Sequence, residues 1–256
     1  MPLSHERARL IGRLRNRRTR EREGLFLVEG IRSAGEALAA GAQVRFAVIS
    51  PRLVDLAEGV ALRARLTAAG VETVELEHEE LAELSDTETS QGVLLVCPEP
   101  MVEGDALPSG PLLVLDGVQD PGNVGTLVRA AAAFGMAATI VLDGTVDPFN
   151  PKVVRAAAGA IFRVPVLRLP WSRVEPDLRA RGPVLIADMA GRDVATARPS
   201  GRWSLVIGSE ATGPRAAVRA AATDTLAIPM RGGVESLNAG IAGAILLYAL
   251  TRVDRG

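Results

Sequence analysis

The feature that most constrains the fold is a regular alternation of short apolar runs and longer helix-like stretches in the second half of the chain. Near-continuous apolar runs are typical of strands that are buried on both faces of a parallel sheet. We therefore predict an α/β domain built on such a sheet. The predicted strands are Leu112–Leu115, Thr139–Leu142, Val184–Ala187, Leu205–Ile207 and Leu226–Ile228. The predicted helices are Val124–Phe134, Pro151–Ala160, Arg173–Ala180, Pro214–Ala221 and Ser236–Arg252.

The first half of the chain predicts a second, smaller α/β domain. Apolar runs such as Leu25–Val28 and Gly92–Val96 alternate with helix-like stretches such as Val54–Ala69, which Gly70 closes. A stretch rich in proline and glycine follows, and this composition is typical of a linker. We place an N-terminal domain at residues 1–98, a linker at 99–110 and the larger domain at 111–256.

The composition narrows the functional class. A chain of 256 residues can bury a core without disulfides. Its only cysteine, Cys97, excludes an intrachain disulfide and favours a reducing compartment. No apolar run reaches the ~18 residues of a membrane span, and the first residues lack the apolar core of a signal peptide. We expect a soluble, cytoplasmic protein with no membrane association.

Positive charge is concentrated at the start of the chain, although the formal net charge is only −1. Such a basic arm in a near-neutral protein is consistent with a surface that contacts phosphates, and equally with a solvated helix face. The residues alone do not decide between these two interpretations. The arginines of the arm are Arg7, Arg9, Arg13, Arg15, Arg17, Arg18, Arg20 and Arg22.

Three separated segments carry the candidate chemistry, because each places glycine or proline beside polar side chains at the end of an apolar run. Glycine lets a ligand approach the main chain closely. Ligands of open parallel sheets bind beyond the carboxyl ends of the strands, which is where these segments fall. They are 120–129 (DPGNVGTLVR), 207–213 (IGSEATG) and 228–238 (IPMRGGVESLN).

The polar residues of these segments each allow two interpretations. Asn123 could simply cap a helix, or it could hold an anionic ligand such as a phosphate together with Arg129. Arg129 interrupts an apolar run, and a buried arginine would need an anionic partner. Glu210 could order its loop or balance Arg129. Ser236 is a good N-cap for the last helix, and Pro214 suits the first position of another.

Several common types of active site are disfavoured. The only histidines, His5 and His78, lie in the other half of the chain, which argues against Ser/His hydrolysis and against a zinc site, so we expect no metal. Lys152 lacks a preceding glycine loop, and no dinucleotide-binding glycine fingerprint follows a strand. Aromatic residues are scarce, which disfavours a stacking platform for single-stranded RNA.

The three segments, in this order, resemble the motifs of the SpoU (TrmH) class of RNA ribose 2′-O-methyltransferases, in the SPOUT superfamily. Residues 150–165 (NPKVVRAAAGAIFRVP) are similar to the family's segment between the first two motifs. Residues 22–30 (REGLFLVEG) and 90–92 (SQG) are similar to its auxiliary RNA-binding domain. Two departures stand out, Ala211 where glycine is common and Ala157 where serine is frequent, and the second could alter a substrate contact.

The resemblance implies a C-terminal domain with a deep trefoil knot that binds S-adenosylmethionine, and a homodimer with active sites near the subunit interface. It also implies a ribosomal RNA substrate, with 23S RNA as the first expectation. The cofactor-binding candidates that it implies are Ile207, Gly208, Ile228, Met230 and Leu237. The catalytic candidates are Asn123, Arg129, Glu210, Ser236 and Asn238.

The implied reaction is attack of a ribose 2′-hydroxyl on the cofactor's methyl group. The family usually assigns removal of the hydroxyl proton to the position of Arg129, but a guanidinium stays protonated at ordinary pH. We expect Arg129 chiefly to clamp the adjacent phosphate and favour alkoxide character. Two alternatives are a non-catalytic RNA-binding or ribosome-assembly factor on the same fold, and a nucleotide-cofactor enzyme acting on small molecules.

Overall fold

The structure is a computed structural model that describes residues 3–87, 89–100, 107–231 and 236–252. The chain forms two compact units, one of residues 1–99 with 149–163 and the other of residues 100–148 with 164–256. Across the described ranges, no helix is long and apolar enough to cross a membrane.

The elements alternate between helix and strand along most of the chain. The helices are α1 His5–Leu14, α2 Arg17–Glu23, α3 Ile31–Ala39, α4 Ala57–Ala68, α5 His78–Leu84, α6 Pro121–Ala133, α7 Pro151–Ala157, α8 Trp171–Arg181, α9 Ala216–Arg219 and α10 Ala239–Thr251. The strands are β1 Leu25–Glu29, β2 Phe46–Ile49, β3 Thr73–Glu75, β4 Val93–Pro98, β5 Leu112–Asp116, β6 Ala138–Val141, β7 Val166–Arg168, β8 Val184–Asp193, β9 Ser204–Gly208 and β10 Asp224–Ala227. Short 3₁₀ turns lie at Pro51–Asp55, Ala160–Phe162 and Val194–Thr196.

The first unit is built on a mixed four-stranded sheet with the order β1-β4-β2-β3. Strand β4 is antiparallel to both of its neighbours, whereas β2 and β3 are parallel. Helices α1 and α5 contribute Ile11, Leu14 and Leu81 to the core over this sheet. Segment 149–163 packs against β1, where the rings of Phe149 and Phe162 lie 5.0 and 5.8 Å from that of Phe26.

The second unit is built on a six-stranded sheet with the order β10-β8-β9-β5-β6-β7, in which every neighbouring pair is parallel. This confirms the predicted parallel sheet and the α/β class. The chain runs from β5 to β6 on one side, and β9 lies on the other side. The crevice between the carboxyl ends of β5 and β9 is therefore a topological switch point, where such sheets bind ligands.

The sequence reasoning missed three elements. Helices α1 and α2 are mostly polar, and α1 buries only Ile11 and Leu14, so their apolar periodicity is weak. Strand β7 has only three residues. Most of the predicted helix Val54–Ala69 is α4, but its first residues belong to the 3₁₀ turn that precedes α4. Gly70 follows α4 with a φ of 66°.

Three predicted helix starts are wrong by a few residues. Asp120, not Asn123, caps α6, since its side chain accepts a hydrogen bond from the Asn123 backbone N–H at 2.8 Å. Asn238, not Ser236, caps α10, because its Oδ1 accepts from the Ile241 backbone N–H at 3.1 Å. Helix α9 begins at Ala216, two residues after Pro214. In the first two cases another polar residue of the same segment occupies the capping position.

Candidate functional site

The first two candidate segments meet where β5 and β9 end side by side. Asp116, the last residue of β5, pairs in register with Gly208, the last residue of β9. The buried Asp116 carboxylate accepts hydrogen bonds from the Arg215 backbone N–H at 2.7 Å and from its Nε at 2.6 Å. Together, the backbone hydrogen bond and the salt bridge hold the end of the segment that follows β9 over the end of β5.

Glycine is required at Gly208 by the turn of the chain itself. A Cβ there would lie 2.2 Å from the Pro214 backbone nitrogen, closer than any side chain permits. The turn is closed by a 2.9 Å hydrogen bond from the Gly213 N–H to the Ser209 carbonyl, and Gly213 has a φ of 67°. The sequence reasoning explained Gly208 by close approach of a ligand, whereas the structure shows close approach of two parts of the same loop.

A direct hydrogen bond joins the polar residues of the first two segments. The Asn123 side-chain amide donates to Glu210 Oε1 at 2.8 Å, and Asn123 is only 7% exposed. Glu210 makes no bond to Arg129, so of the two interpretations given above the structure supports the ordering of the loop. An amide that bonds a carboxylate in a sheltered position fixes the orientation of both groups.

The third segment reaches the first through the close packing of α10 on α6. A Cβ on Gly240 would lie 3.3 Å from Asn123 Oδ1 and 3.2 Å from Thr126 Cβ. A Cβ on Gly243 would lie only 2.2 Å from Leu127 Cδ2. The two glycines let the helices approach at this point, and the capping residue Asn238 therefore stands at the end of α10 that lies next to Asn123.

Arg129 is exposed on α6, and its guanidinium makes no hydrogen bond or ion pair with any residue in the described part of the chain. The argument that Arg129 would need an anionic partner applied to a buried arginine, and this side chain is not buried. Its fixed positive charge is therefore available to an anionic ligand.

A pocket of about 130 Å³ lies beside the middle of β8 and the carboxyl end of β10. Three predicted cofactor residues, Ile228, Met230 and Leu237, line it together with Ser236. The remaining walls were not predicted and come from Ala187, Asp188, Met189, Leu226, Ala227, Ala242 and Leu246. The candidates Ile207 and Gly208 lie on the neighbouring strand β9 instead.

An irregularity in β8 accounts for the unpredicted wall of this pocket. Strand β10 pairs with Ile186 and then with Arg192, so five residues of β8 lie between consecutive pairs. Gly191 permits this geometry, since a Cβ there would lie 2.6 Å from the backbone of Thr225 and Leu226. The rule that ligands bind at strand ends, applied to the predicted strand Val184–Ala187, would have indicated this region.

Among the described residues that line the pocket, Asp188 is the one that carries a charge. Arg219 Nη1 donates to its Oδ2 at 2.8 Å, and the Ala190 backbone N–H donates to its Oδ1 at 3.1 Å. The hydrogen bond from Arg219, and to a smaller extent the one from Ala190, lowers the pKa of Asp188 below its ordinary value. The carboxylate is therefore ionised at neutral pH.

Most arginines of the N-terminal arm form salt bridges or hydrogen bonds within the protein. Arg7 pairs with Glu72, Arg17 with Glu21 and Arg22 with Glu23. Arg15 and Arg20 donate to backbone carbonyls. The exposed guanidiniums of Arg9, Arg13 and Arg18 have no such partner among the residues described. Of the two interpretations of the arm, a phosphate-contacting surface would therefore use these three side chains first.

Comparison with known proteins identifies the family. A family model described as the SpoU rRNA Methylase family matches residues 110–248, and one described as an MRM3-like substrate binding domain matches residues 6–95. The chain belongs to the SpoU rRNA methylase family. This confirms the resemblance found in the sequence motifs.

Individual relatives cover nearly the whole chain. A 23S rRNA (guanosine(2553)-2'-O)-methyltransferase of Bacillus subtilis (strain 168) is 31% identical over 240 residues, 93% of each chain. The SpoU methyltransferase AviRb from Streptomyces viridochromogenes, solved in complex with AdoMet, is 30% identical with a TM-score of 0.83, over 96% of this chain and 97% of that one. An AdoMet-bound rRNA methyltransferase from Sinorhizobium meliloti is 26% identical with a TM-score of 0.82, over 97% and 95%.

Proposed function

We propose that this protein transfers a methyl group from S-adenosylmethionine to a ribose 2′-hydroxyl of ribosomal RNA, and that the RNA is 23S. The observation that carries the proposal is the convergence of the three family motifs at the carboxyl edge of one parallel sheet. There Asn123 bonds Glu210 at 2.8 Å, and residues of the third segment line a pocket. The names of the relatives support the substrate class.

The lining of the pocket suits an apolar part of S-adenosylmethionine. Its walls are mainly Ala, Leu, Ile and Met side chains, against which a flat purine ring can pack. We assign Ile228, Met230 and Leu237 to hold the cofactor, with the backbone of Ile207 and Gly208 contributing from the adjacent strand. When bound, the cofactor supplies a methyl group on a positively charged sulfur.

The chain's own residues position the RNA and favour loss of the 2′-hydroxyl proton. We assign Arg129 to clamp the phosphate next to the target ribose, because its guanidinium is exposed and makes no bond within the described residues. We assign Asn123 and Glu210 to orient the ribose beside it. Ser236 and Asn238, which stand at the pocket and at the start of α10, complete the catalytic set.

The experiment that tests the proposal uses radiolabelled S-adenosylmethionine with large-subunit ribosomal, small-subunit ribosomal and transfer RNA transcripts. We expect label to enter large-subunit RNA as an alkali-resistant ribose methyl, and Arg129→Ala to abolish it. The same assay is repeated with ribosomal particles. If none of the transcripts or particles accepts label and the cofactor does not bind, the methyltransferase proposal fails in favour of a non-catalytic RNA-binding factor.

Replacement of Arg129 by lysine tests the clamp separately. A lysine keeps the charge but cannot make two parallel hydrogen bonds to a phosphate, so we expect kcat/KM to fall at least ~10-fold, or ~1.4 kcal/mol. Steady-state kinetics of Arg129→Lys, with cofactor affinity measured by calorimetry as the control, checks this. Full activity with lysine would contradict the clamp.

The remaining parts of the proposal concern organisation. We propose residues 1–98 as the RNA-binding domain, 99–110 as the linker and 111–256 as the methyltransferase domain, which the two family-model ranges support. We further propose a trefoil knot in the latter, a cytoplasmic location and a homodimer. An exposed apolar stripe along α10 supports the dimer and consists of Leu237, Ile241, Ile245 and Tyr248.

A further inference from the structure

A second pocket, of about 290 Å³, opens in the first unit. Its walls come from three places: the junction of β1 with α3, the loop before β4, and helix α7. Its size is close to the lower end of the roughly 300–1,000 Å³ that is usual for small-ligand sites. The lining residues that matter here are Glu29, Arg32, Ser33, Thr89, Gln91 and Arg155.

The wall carries hydrogen-bonding groups that the protein does not use. Ser33 is only 6% exposed, and its hydroxyl, which faces the pocket, makes no hydrogen bond with a residue that the structure describes. The Thr89 hydroxyl also lacks such a bond. Gln91 Oε1 accepts from the Ile31 backbone N–H at 2.9 Å, which leaves the NH₂ group of Gln91 as a further unused donor.

Among the described residues of the wall, the interior charges are balanced and the rim charges are positive. Glu29 is buried and satisfied by the Ser85 hydroxyl and the Asp86 backbone N–H, at 2.9 and 2.8 Å. Arg155 pairs with Asp86 at 3.2 Å, with both side chains about one-third exposed. The exposed Arg32 has no partner within the described ranges. A ligand with a neutral, hydrogen-bonding body and one anionic group matches this pattern.

We propose that this pocket binds one unpaired nucleotide of the RNA substrate, with its base against Ser33, Thr89 and Gln91 and its phosphate at Arg32 and Arg155. The inference rests on the proposed function, because it takes the substrate to be RNA. Proteins that read RNA sequence bind bases splayed out of loops and bulges, and hydrogen-bond their edges. A pocket of this size admits one nucleotide but no base-paired helix.

The test uses the full chain and a fluorescein-labelled single-stranded RNA of mixed sequence, with the same RNA annealed to its complement for comparison. We expect Arg32→Ala and Ser33→Val each to weaken single-strand binding about 10-fold and to leave duplex binding unchanged. Ser33→Val replaces the hydroxyl by a methyl group at nearly constant volume. Arg45→Ala is the matched control, since the Arg45 guanidinium is also exposed on the first unit and makes no hydrogen bond or salt bridge with a described residue, and it should change the affinity less than twofold.

The outcomes separate this inference from the proposed function. Cofactor binding is measured by calorimetry in the same variants, and the RNA assay needs no cofactor, so failure of one does not hide the other. Wild-type affinity in both variants, with unchanged melting temperatures, would overturn the pocket. Equal weakening for single strand and duplex would also overturn it, in favour of a general electrostatic surface. Arg32 is exposed, so Arg32→Ala keeps the test valid if Ser33→Val folds poorly.

Discussion

At the scale of single residues, the hydrogen bond between Asn123 and Glu210 carries the most information about the site. Asn123→Asp would place two carboxylates at 2.8 Å, where they cannot both ionise without a large cost. We expect methyl transfer to fall at least ~10-fold at pH 8, with partial recovery at lower pH as the pair takes up a proton. Single-turnover rates between pH 5.5 and 9 measure this.

The matched control for this change is the double variant Asn123→Asp with Glu210→Gln, which exchanges donor and acceptor and restores a bond between the two positions. If the bond itself matters, the double variant should regain much of the lost rate. A double variant that folds like the wild type but is no faster than Asn123→Asp would assign these residues independent roles.

The ionised Asp188 carboxylate in the pocket wall leads to a prediction about how cofactor affinity depends on pH. The hydrogen bond from Arg219 lowers the pKa of Asp188, so its contribution to stability is present above the unfolded pKa of ~3.9 and is lost as pH falls through the lower, folded value. We expect cofactor affinity to show no titration of Asp188 between pH 6 and 9. Calorimetry across this range, with Asp188→Asn for comparison, checks it, and a pH-dependent affinity that disappears in Asp188→Asn would contradict it.

At the scale of elements, the packing of α10 on α6 depends on Gly243. A Cβ there would lie 2.2 Å from Leu127 Cδ2, so Gly243→Val must push the two helices apart or strain Leu127. We expect a loss of ~1–3 kcal/mol in the free energy of unfolding. Denaturant unfolding measures this, and unchanged stability would show that the helices separate at no cost.

A glycine in an open helical position provides the contrast. Nothing lies within 4 Å of a Cβ placed on Gly12, which is inside α1. Gly12→Ala should therefore stabilise the protein by ~0.5–1 kcal/mol, because alanine has the higher helix propensity. The opposite signs expected at these two glycines separate the effect of close packing from that of glycine in a helix.

An element can be predicted from the sequence when its buried side chains form a clear apolar pattern within that element. Strands such as β5 and β9 are apolar at nearly every position, so their presence and their parallel pairing follow from the sequence. Helices α1 and α2 bury few side chains, and the apolar pattern does not reveal them. The pocket wall at Asp188 depends on the register shift between β8 and β10, which no local pattern encodes.

The candidate site also has features that the sequence predicts and features that required the structure. Asn123 and Glu210 could be named from strand ends and glycines in the sequence, whereas Ile228, Met230 and Leu237 were named because the three motifs resemble those of a known family. The bond between Asn123 and Glu210 spans 87 positions and depends on the pairing of Asp116 with Gly208, so it required the structure. The exposure of Arg129 could not be inferred either, since its neighbours in the sequence are apolar.

At the scale of the whole molecule, the stripe on α10 gives the last prediction. Ile241 and Tyr248 are 52% and 60% exposed, and their spacing puts them on one face of α10 with Ile245, while the exposed Leu237 lies just before the helix. An apolar stripe of this kind along a helix is costly in water and is typical of a surface that another protein covers. Because we propose a second copy as the partner, a charge at the centre of the stripe should prevent association.

We expect Ile241→Asp to convert a dimer into a monomer in sedimentation velocity at micromolar concentration. The matched control is Val60→Asp, which introduces the same charge at an apolar side chain that is also 52% exposed but lies on α4 of the first unit. This variant should remain dimeric. If the active site lies near the interface, the monomer should also lose methyl transfer while its melting curve stays cooperative. A wild-type chain that sediments as a monomer, or an Ile241→Asp variant that stays dimeric, would move the interface away from α10 or remove it.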